Sequence, residues 1–236
     1  MKAMINVTML VHNRVKLTRQ ALESLGPVHD LTVTVLDDAS DDHSTRHYLE
    51  RWADRQPPQR TLVARNEVSE GTGKARNKVI DLTERVFGRG RYLYLSDNDV
   101  FFHRDWAMRL VAVYEAAWLL GFKVLGAYNH PFHQPIATEN LYSGWSVREV
   151  QSLALQSMLM RWDVWDEFGP FNATEPGKVC DGEDVLFGNK IREDKGRLGV
   201  VWPPLVANCG ITNSFGHPIP GADLVRAQAP FGVEIE

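Results

Sequence analysis

The chain has 236 residues, 44% hydrophobic and 24% charged, with 26 Lys and Arg against 30 Asp and Glu and a net charge of −4. Those values exclude a disordered or fibrous chain, and they leave no general basic footprint for nucleic acid. Two cysteines, Cys180 and Cys209, are too few for a disulfide framework and are not spaced for structural zinc, so a reducing compartment is expected.

In chain order, residues 4–11 form an apolar, β-branched run, the pattern of a strand buried on both faces, and His12-Asn13-Arg14 ends it. Residues 15–25 place Leu17, Ala21, Leu22 and Leu25 at helical spacing. A second buried strand over 31–36 is ended by Asp37-Asp38-Ala39-Ser40-Asp41-Asp42, and a helix follows over 44–53. A strand at 60–64 leads to Gly71-Thr72-Gly73-Lys74, which opens a helix over 73–87. A strand at 92–95 runs into Ser96-Asp97-Asn98-Asp99, then come a helix over 106–120 and a strand over 122–127. The most apolar run, 112–125, is broken by Glu115 and Lys123 and is too short to span a bilayer. No leader with a basic stretch and an apolar run is visible, so a soluble, cytoplasmic protein is expected.

Repeated strand–helix alternation predicts an α/β fold, a Rossmann-like, mostly parallel sheet flanked by helices in a single domain. Ligands of such sheets lie outside the carboxyl ends of the strands. Here those ends carry His12-Asn13-Arg14, Asp37-Asp38, Arg65-Asn66 and Asp97-Asn98-Asp99. The second half reads differently. Residues 129–148 are expected to be a loop rich in Pro, His and aromatics, 152–160 a strand, and 162–168 a helix stopped by Gly169-Pro170. A further helix starts at Gly182-Glu183-Asp184 and runs to about 195, and from 200 onward the chain reads mostly as loop.

Asp97 and Asp99 are two hard carboxylates just past a buried strand, suited to Mn²⁺ or Mg²⁺ beside an anionic substrate, and equally compatible with an Asp-rich turn. Asp37 and Asp38 suit a ribose hydroxyl or base N–H, or an Asx-type turn before a capped helix. Gly71, Lys74 and Arg76 surround a helix start that favours anions. It is not a P-loop, because Val68 stands at the required Gly and Ala75 at the Ser or Thr, and no Gly-x-Gly-x-x-Gly follows the first strand. Gly182-Glu183-Asp184 offers either a helix cap or a general base, with the helix field expected to keep Asp184 ionised and its pKa little raised. His217, in Phe215-Gly216-His217-Pro218, is a surface histidine or a metal ligand. Trp145, in a Gly-containing loop, is a core residue or a platform for a sugar ring.

Taken in this order, the segments His12-Asn13-Arg14, Val35-Leu36-Asp37-Asp38, Gly71 with Ala75-Arg76-Asn77, Asp97-Asn98-Asp99 and Gly182-Glu183-Asp184 resemble the family 2 nucleotide-sugar glycosyltransferases of GT-A fold. The stretch from Met158 through Trp162 and Trp165 to Gly169-Pro170-Phe171 fits the part before that family's Glu-Asp pair. The resemblance implies residues 1–128 as the nucleotide-sugar half, with 129–236 as the acceptor half and tail. It implies Asp38, with Asp37, at the nucleoside, and His12, Asn13, Arg14 and Asn98 around the donor. Arg76 would stand near its phosphates or sugar, with Lys74 also at the donor, and Asp97 and Asp99 at the metal and ribose. Asp184 would be the base, with Trp145, Gly182 and Glu183 toward the acceptor. His12 departs from the aromatic common at its position, and the transmembrane helices of polysaccharide synthases are missing, which points to a small soluble transferase.

The implied reaction moves a sugar, with inversion, from a UDP- or GDP-type donor to a hydroxyl of a glycan, protein, small molecule or modified nucleic acid. A tail over 213–221 carrying His217 is expected to order over the donor. Two other classes remain open: a nucleotidyltransferase making the sugar nucleotide, which would need a Gly-rich basic loop after the first strand, and a binding module without turnover.

Overall fold

The computed structural model describes residues 4–26, 30–128, 133, 135–154, 156–172 and 182–210. Among the described residues nine strands build one sheet: β1 (Ile5–Val11), β2 (Leu31–Asp37), β3 (Thr61–Arg65), β4 (Tyr92–Asp97), β6 (Phe122–Gly126), β7 (Pro135–Asn140), β8 (Ser146–Val150), β9 (Ser157–Arg161) and β10 (Arg197–Trp202). Their order is β3-β2-β1-β4-β9-β6-β10-β8-β7. β5 (Val100–Phe102) and β11 (Val206–Asn208) pair antiparallel beside it. β1 to β4 are mutually parallel, and β6, β10 and β7 share their direction. Only β9 and β8 are reversed, so the sheet is mostly parallel, as expected.

The helices are α1 (Val15–Ser24), α2 (His43–Ala53), α3 (Thr72–Phe87), α4 (Trp106–Trp118), α5 (Trp162–Phe168) and α6 (Glu183–Glu193). β4 shows why both faces need cover. Tyr92 and Tyr94 join a core with α1, α2 and α4 residues such as Leu22, Leu49 and Leu110. Leu93 and Leu95 join a second core with Trp162, Phe168, Phe187 and Ile191 of α5 and α6. Each buried aliphatic or aromatic side chain contributes about 1.5–3 kcal/mol, which is why the strands read as continuous apolar runs.

The second half corrects several expectations. Residues 135–150 are mainly the β7–β8 hairpin, not a loop, closed through Leu141 N–H to Trp145 O at 2.9 Å. β7 is an exposed edge strand, so it carries no apolar alternation, and Pro135 at its first residue is tolerated there. β9 starts only at Ser157, and it inserts antiparallel between β4 and β6. Within residues 197–208 the chain forms β10 and β11, where Pro203 and Pro204 had suggested loop. The Leu198, Val200 and Val201 side chains are buried, as an internal strand requires.

Candidate active site

The order β3-β2-β1-β4 sets four carboxyl ends side by side. Asn13 (φ 58) and Arg14 (φ 65) leave β1 in the left-handed region, where neither residue sits without local support. Asn13 supplies that support. Its N–H donates to Ser40 Oγ at 2.7 Å, its Oδ1 accepts from Asp42 N–H at 3.1 Å, and its carbonyl accepts from Asn98 Nδ2 at 3.0 Å. Asn98 also donates to Thr18 Oγ1 at 2.8 Å and is buried, so it ties the end of β4 to the end of β1 and to α1. The half-buried His12 ring places Nδ1 2.8 Å from Asp38 O.

At the end of β2 both carboxylates are turned into the protein. Asp37 lies opposite Arg65 in the β2–β3 register and pairs with it, while its Oδ1 accepts from Ser40 N–H at 2.8 Å and Ser40 Oγ at 2.6 Å. Asp38 accepts from Asn66 Nδ2 at 2.7 Å, Ser69 Oγ at 2.7 Å and Glu70 N–H at 2.9 Å. Three of the roughly four acceptor positions of a carboxylate are thereby filled. The donors from 66–70 were missed in the sequence, because nothing in Asn66, Ser69 or Glu70 announces a partner at distant Asp38.

At the end of β4 each carboxylate meets one arginine. Asp97 pairs with Arg76, whose other contact is Ser96 O at 3.3 Å. The Arg76 side chain is 1% exposed against 28% for Asp97. Arg76 is therefore a buried partner that props Asp97 from behind. Arg14 Nη1 donates to Asp99 Oδ2 at 3.0 Å. Asp99 is buried and its Oδ1 has no hydrogen-bond partner among the described residues. Burial pushes its carboxyl up from the ordinary value against the pull of Arg14, and Asp97 adds to the rise. Asp99 O also accepts from Cys209 N–H at 2.7 Å, which brings Gly210 onto this end.

Gly182 (φ 74) opens α6. Glu183 is buried, whereas Asp184 is half-buried and accepts from Val185 N–H at 2.7 Å. Burial raises the Asp184 carboxyl from its ordinary value; the N–H groups of Val185 and Asp184 and the Arg76 guanidinium oppose this, and Asp97 adds to it. The helix-start N–H groups pull Asp184 down and burial outweighs them, so the net direction is upward. Asn77, next to Arg76, clasps the main chain of Phe171: Nδ2 donates to its carbonyl at 2.9 Å and Oδ1 accepts from its N–H at 3.0 Å. The Phe171 ring lies 4.9 Å from that of Phe187, one turn along α6 from Asp184. α3 therefore carries both the prop of Asp97 and an anchor for the helix of Asp184.

Gly71 (φ 80) caps α3, and Lys74 is exposed in its first turn. Trp145 is half-buried against the first core, at the carboxyl-end side of β10, where its neighbour Ser146 pairs with Trp202. His217, Cys180 and the 213–221 tail lie outside the described residues. Among the described residues no group of three or more His, Cys, Asp or Glu gathers as a ready-made metal centre. The donor set at β4 still fits a hard divalent cation: two carboxylates, one with an orphaned oxygen and one partly open, with phosphate and water left to complete the shell. No described helix is long and apolar enough to cross a membrane.

Residues 7–154 match the model of glycosyl transferase family 2, and the chain belongs to that family. A search of curated proteins finds no match. Among solved structures, the fold is similar to the mannosyltransferase PcManGT from Pyrobaculum calidifontis, solved with GDP-Man and Mn²⁺ (TM-score 0.60, 15% identity, 85% of this chain and 57% of that one). It is also similar to S. aureus TarS 1-349 with UDP (0.60, 21%, 85% and 57%). A third is GalNAc-T7 with UDP, GalNAc and Mn²⁺ (0.64, 16%, 88% and 44%). At these identities the likeness establishes the GT-A fold, and the chain spans only about half the length of those proteins.

Proposed function

We propose that this protein transfers a sugar from a nucleoside-diphosphate sugar of UDP or GDP type to an acceptor hydroxyl, with inversion. The observation that carries this reading is the set of carboxylates at the end of β4, Asp97 paired with Arg76 and Asp99 with Arg14, with the helix of Asp184 anchored to α3 beside them. Family membership and the donor complexes of the similar structures support it. Residues 1–128 form the donor half. Asp38 and the 66–70 segment it ties down face the nucleoside, through the one acceptor position Asp38 has left. Residues from 129 onward, with Trp145, form the acceptor half.

Asp97 and Asp99 would hold Mn²⁺ or Mg²⁺. When bound, the cation neutralises charge on the departing diphosphate. The acceptor oxygen attacks the anomeric carbon, and the bond from that carbon to the diphosphate oxygen breaks, the electron pair leaving with the diphosphate. Asp184 takes the hydroxyl proton as the new C–O bond forms, an effect of roughly 10²–10⁴-fold. Burial of Asp184 strengthens it as a base, provided it stays ionised at the working pH. Glu183 is buried, which leaves Asp184 as the carboxylate that addresses the acceptor.

The test is incubation with UDP-, GDP- and TDP-sugars and Mn²⁺, following donor consumption. Slow, metal-dependent release of the nucleoside diphosphate from one donor is expected. Binding with no turnover across the panel, or turnover only with pyrophosphate, would overturn the reading.

A further inference from the structure

Arg14 pairs with Asp99 across the two strand ends. Its left-handed backbone (φ 65), fixed behind Asn13, aims the guanidinium across the β1 end to β4. A guanidinium and a carboxylate in good geometry form two parallel hydrogen bonds. Here they form one. Arg14 Nη2 and Asp99 Oδ1 are both buried and both without a hydrogen-bond partner among the described residues. Gly210 closes the other side: a Cβ there would collide with the Asp99 carboxylate and the Arg14 guanidinium, so no side chain of that residue can fill the gap. The pair is charge-neutral yet keeps one donor and one acceptor in reserve, and such unmet buried groups are costly unless something else uses them.

We propose that Arg14 is a resident counter-cation that gates the metal position. This rests on the reading of Asp97 and Asp99 as the metal site. Without donor, Arg14 neutralises Asp99 and holds the affinity for a divalent cation low, because a guanidinium and a metal ion on one carboxylate repel each other. A nucleoside diphosphate supplies the missing negative charge. Arg14 then turns its reserve N–H to the diphosphate, and the Asp99 oxygens are free for the cation. Metal and donor therefore bind cooperatively, and by linkage each raises the affinity of the other by the same factor. The gate keeps the metal from binding tightly until there is a donor to act on.

The experiment is calorimetric titration of Mn²⁺ into the full chain, alone and with UDP or GDP, for the wild type, Arg14→Gln and Arg14→Lys. Thermal melts establish that each variant is folded, and Arg14→Met supplies the same test should the glutamine variant not fold. Arg14→Gln is expected to bind Mn²⁺ alone about 10-fold or more tightly than the wild type, the scale of one charged hydrogen bond. It should also lose most of the coupling between Mn²⁺ and the diphosphate. Arg14→Lys keeps the charge and should stay near the wild type. If the neutral variants bind Mn²⁺ no more tightly and keep the coupling, while the diphosphate still recruits Mn²⁺ to the wild type, the gate is wrong and the metal site stands. If neither diphosphate recruits Mn²⁺ to the wild type, both are wrong.

Discussion

At the end of β2, Asp37 and Asp38 have given most of their lone pairs to protein donors; at the end of β4, Asp97 and Asp99 each hold one arginine and keep more oxygen to spare. Both ends follow a buried strand and both read as paired acids. The difference lies in what surrounds them. The chain beyond β3 folds back over Asp38 and brings Asn66, Ser69 and Glu70 N–H to it. Against Asp99 the chain sets Gly210, a residue with no side chain to offer. A carboxylate with satisfied lone pairs holds a loop in place, and one with an open lone pair is available to a ligand.

The sharpest way to break this comparison is at the base. Asp184→Asn keeps the shape of α6 and should lower turnover by roughly 10²–10⁴-fold, with donor affinity little changed. Glu183→Gln should show itself in thermal stability instead, since Glu183 is buried. If Glu183→Gln loses turnover while Asp184→Asn keeps it, the two acids have been assigned the wrong way round. The wild-type product should carry the anomeric configuration opposite to the donor's, and retention would rule out direct displacement.

At the closed end, Asp38→Ala strips the acceptor from Asn66, Ser69 and Glu70 N–H together. Denaturant unfolding should show a loss on the order of 1–3 kcal/mol, and calorimetry a weaker affinity for the nucleoside alone. Full stability after this substitution would mean that the β2 end is as open as the β4 end.

The pH profile separates the two ends without mutation. Burial raises the Asp184 carboxyl, and the base works only when ionised. Turnover should therefore fall on acidification through a value above the usual carboxylate range of about 4. A smaller effect sits at Asp42, the N-cap of α2. Its carboxyl is lowered chiefly by the Ser44 hydroxyl and N–H. A lowered carboxylate contributes stability above its unfolded value that is lost as pH falls through the folded one. Asp42→Ala should cost about 1 kcal/mol at neutral pH and less in acid, with donor affinity unchanged.

The first half of the fold was legible because each strand is buried on both faces and each helix shows its apolar stripe; α3 and α5 were placed to within a residue. The hairpin at 135–150 was not, since an exposed edge strand has no apolar period to read. β5 was too short to announce itself. The acids of the site were legible as residue types at strand ends, but their state was not. Arg14 and Arg76 were visible as charges near a donor, while their pairing with Asp99 and Asp97 depends on contacts 85 and 21 residues apart along the chain. The rise of Asp184 depends on burial that one helix start cannot reveal.

The affinity for UDP and GDP, measured by calorimetry with Mn²⁺ and with EDTA, for the wild type and Asp99→Asn, tests the openness of the β4 end most directly. The account predicts that Mn²⁺ tightens binding of one diphosphate to the wild type and that Asp99→Asn abolishes the gain. Equal affinity in Mn²⁺ and EDTA for the wild type, or a gain that survives Asp99→Asn, would contradict it.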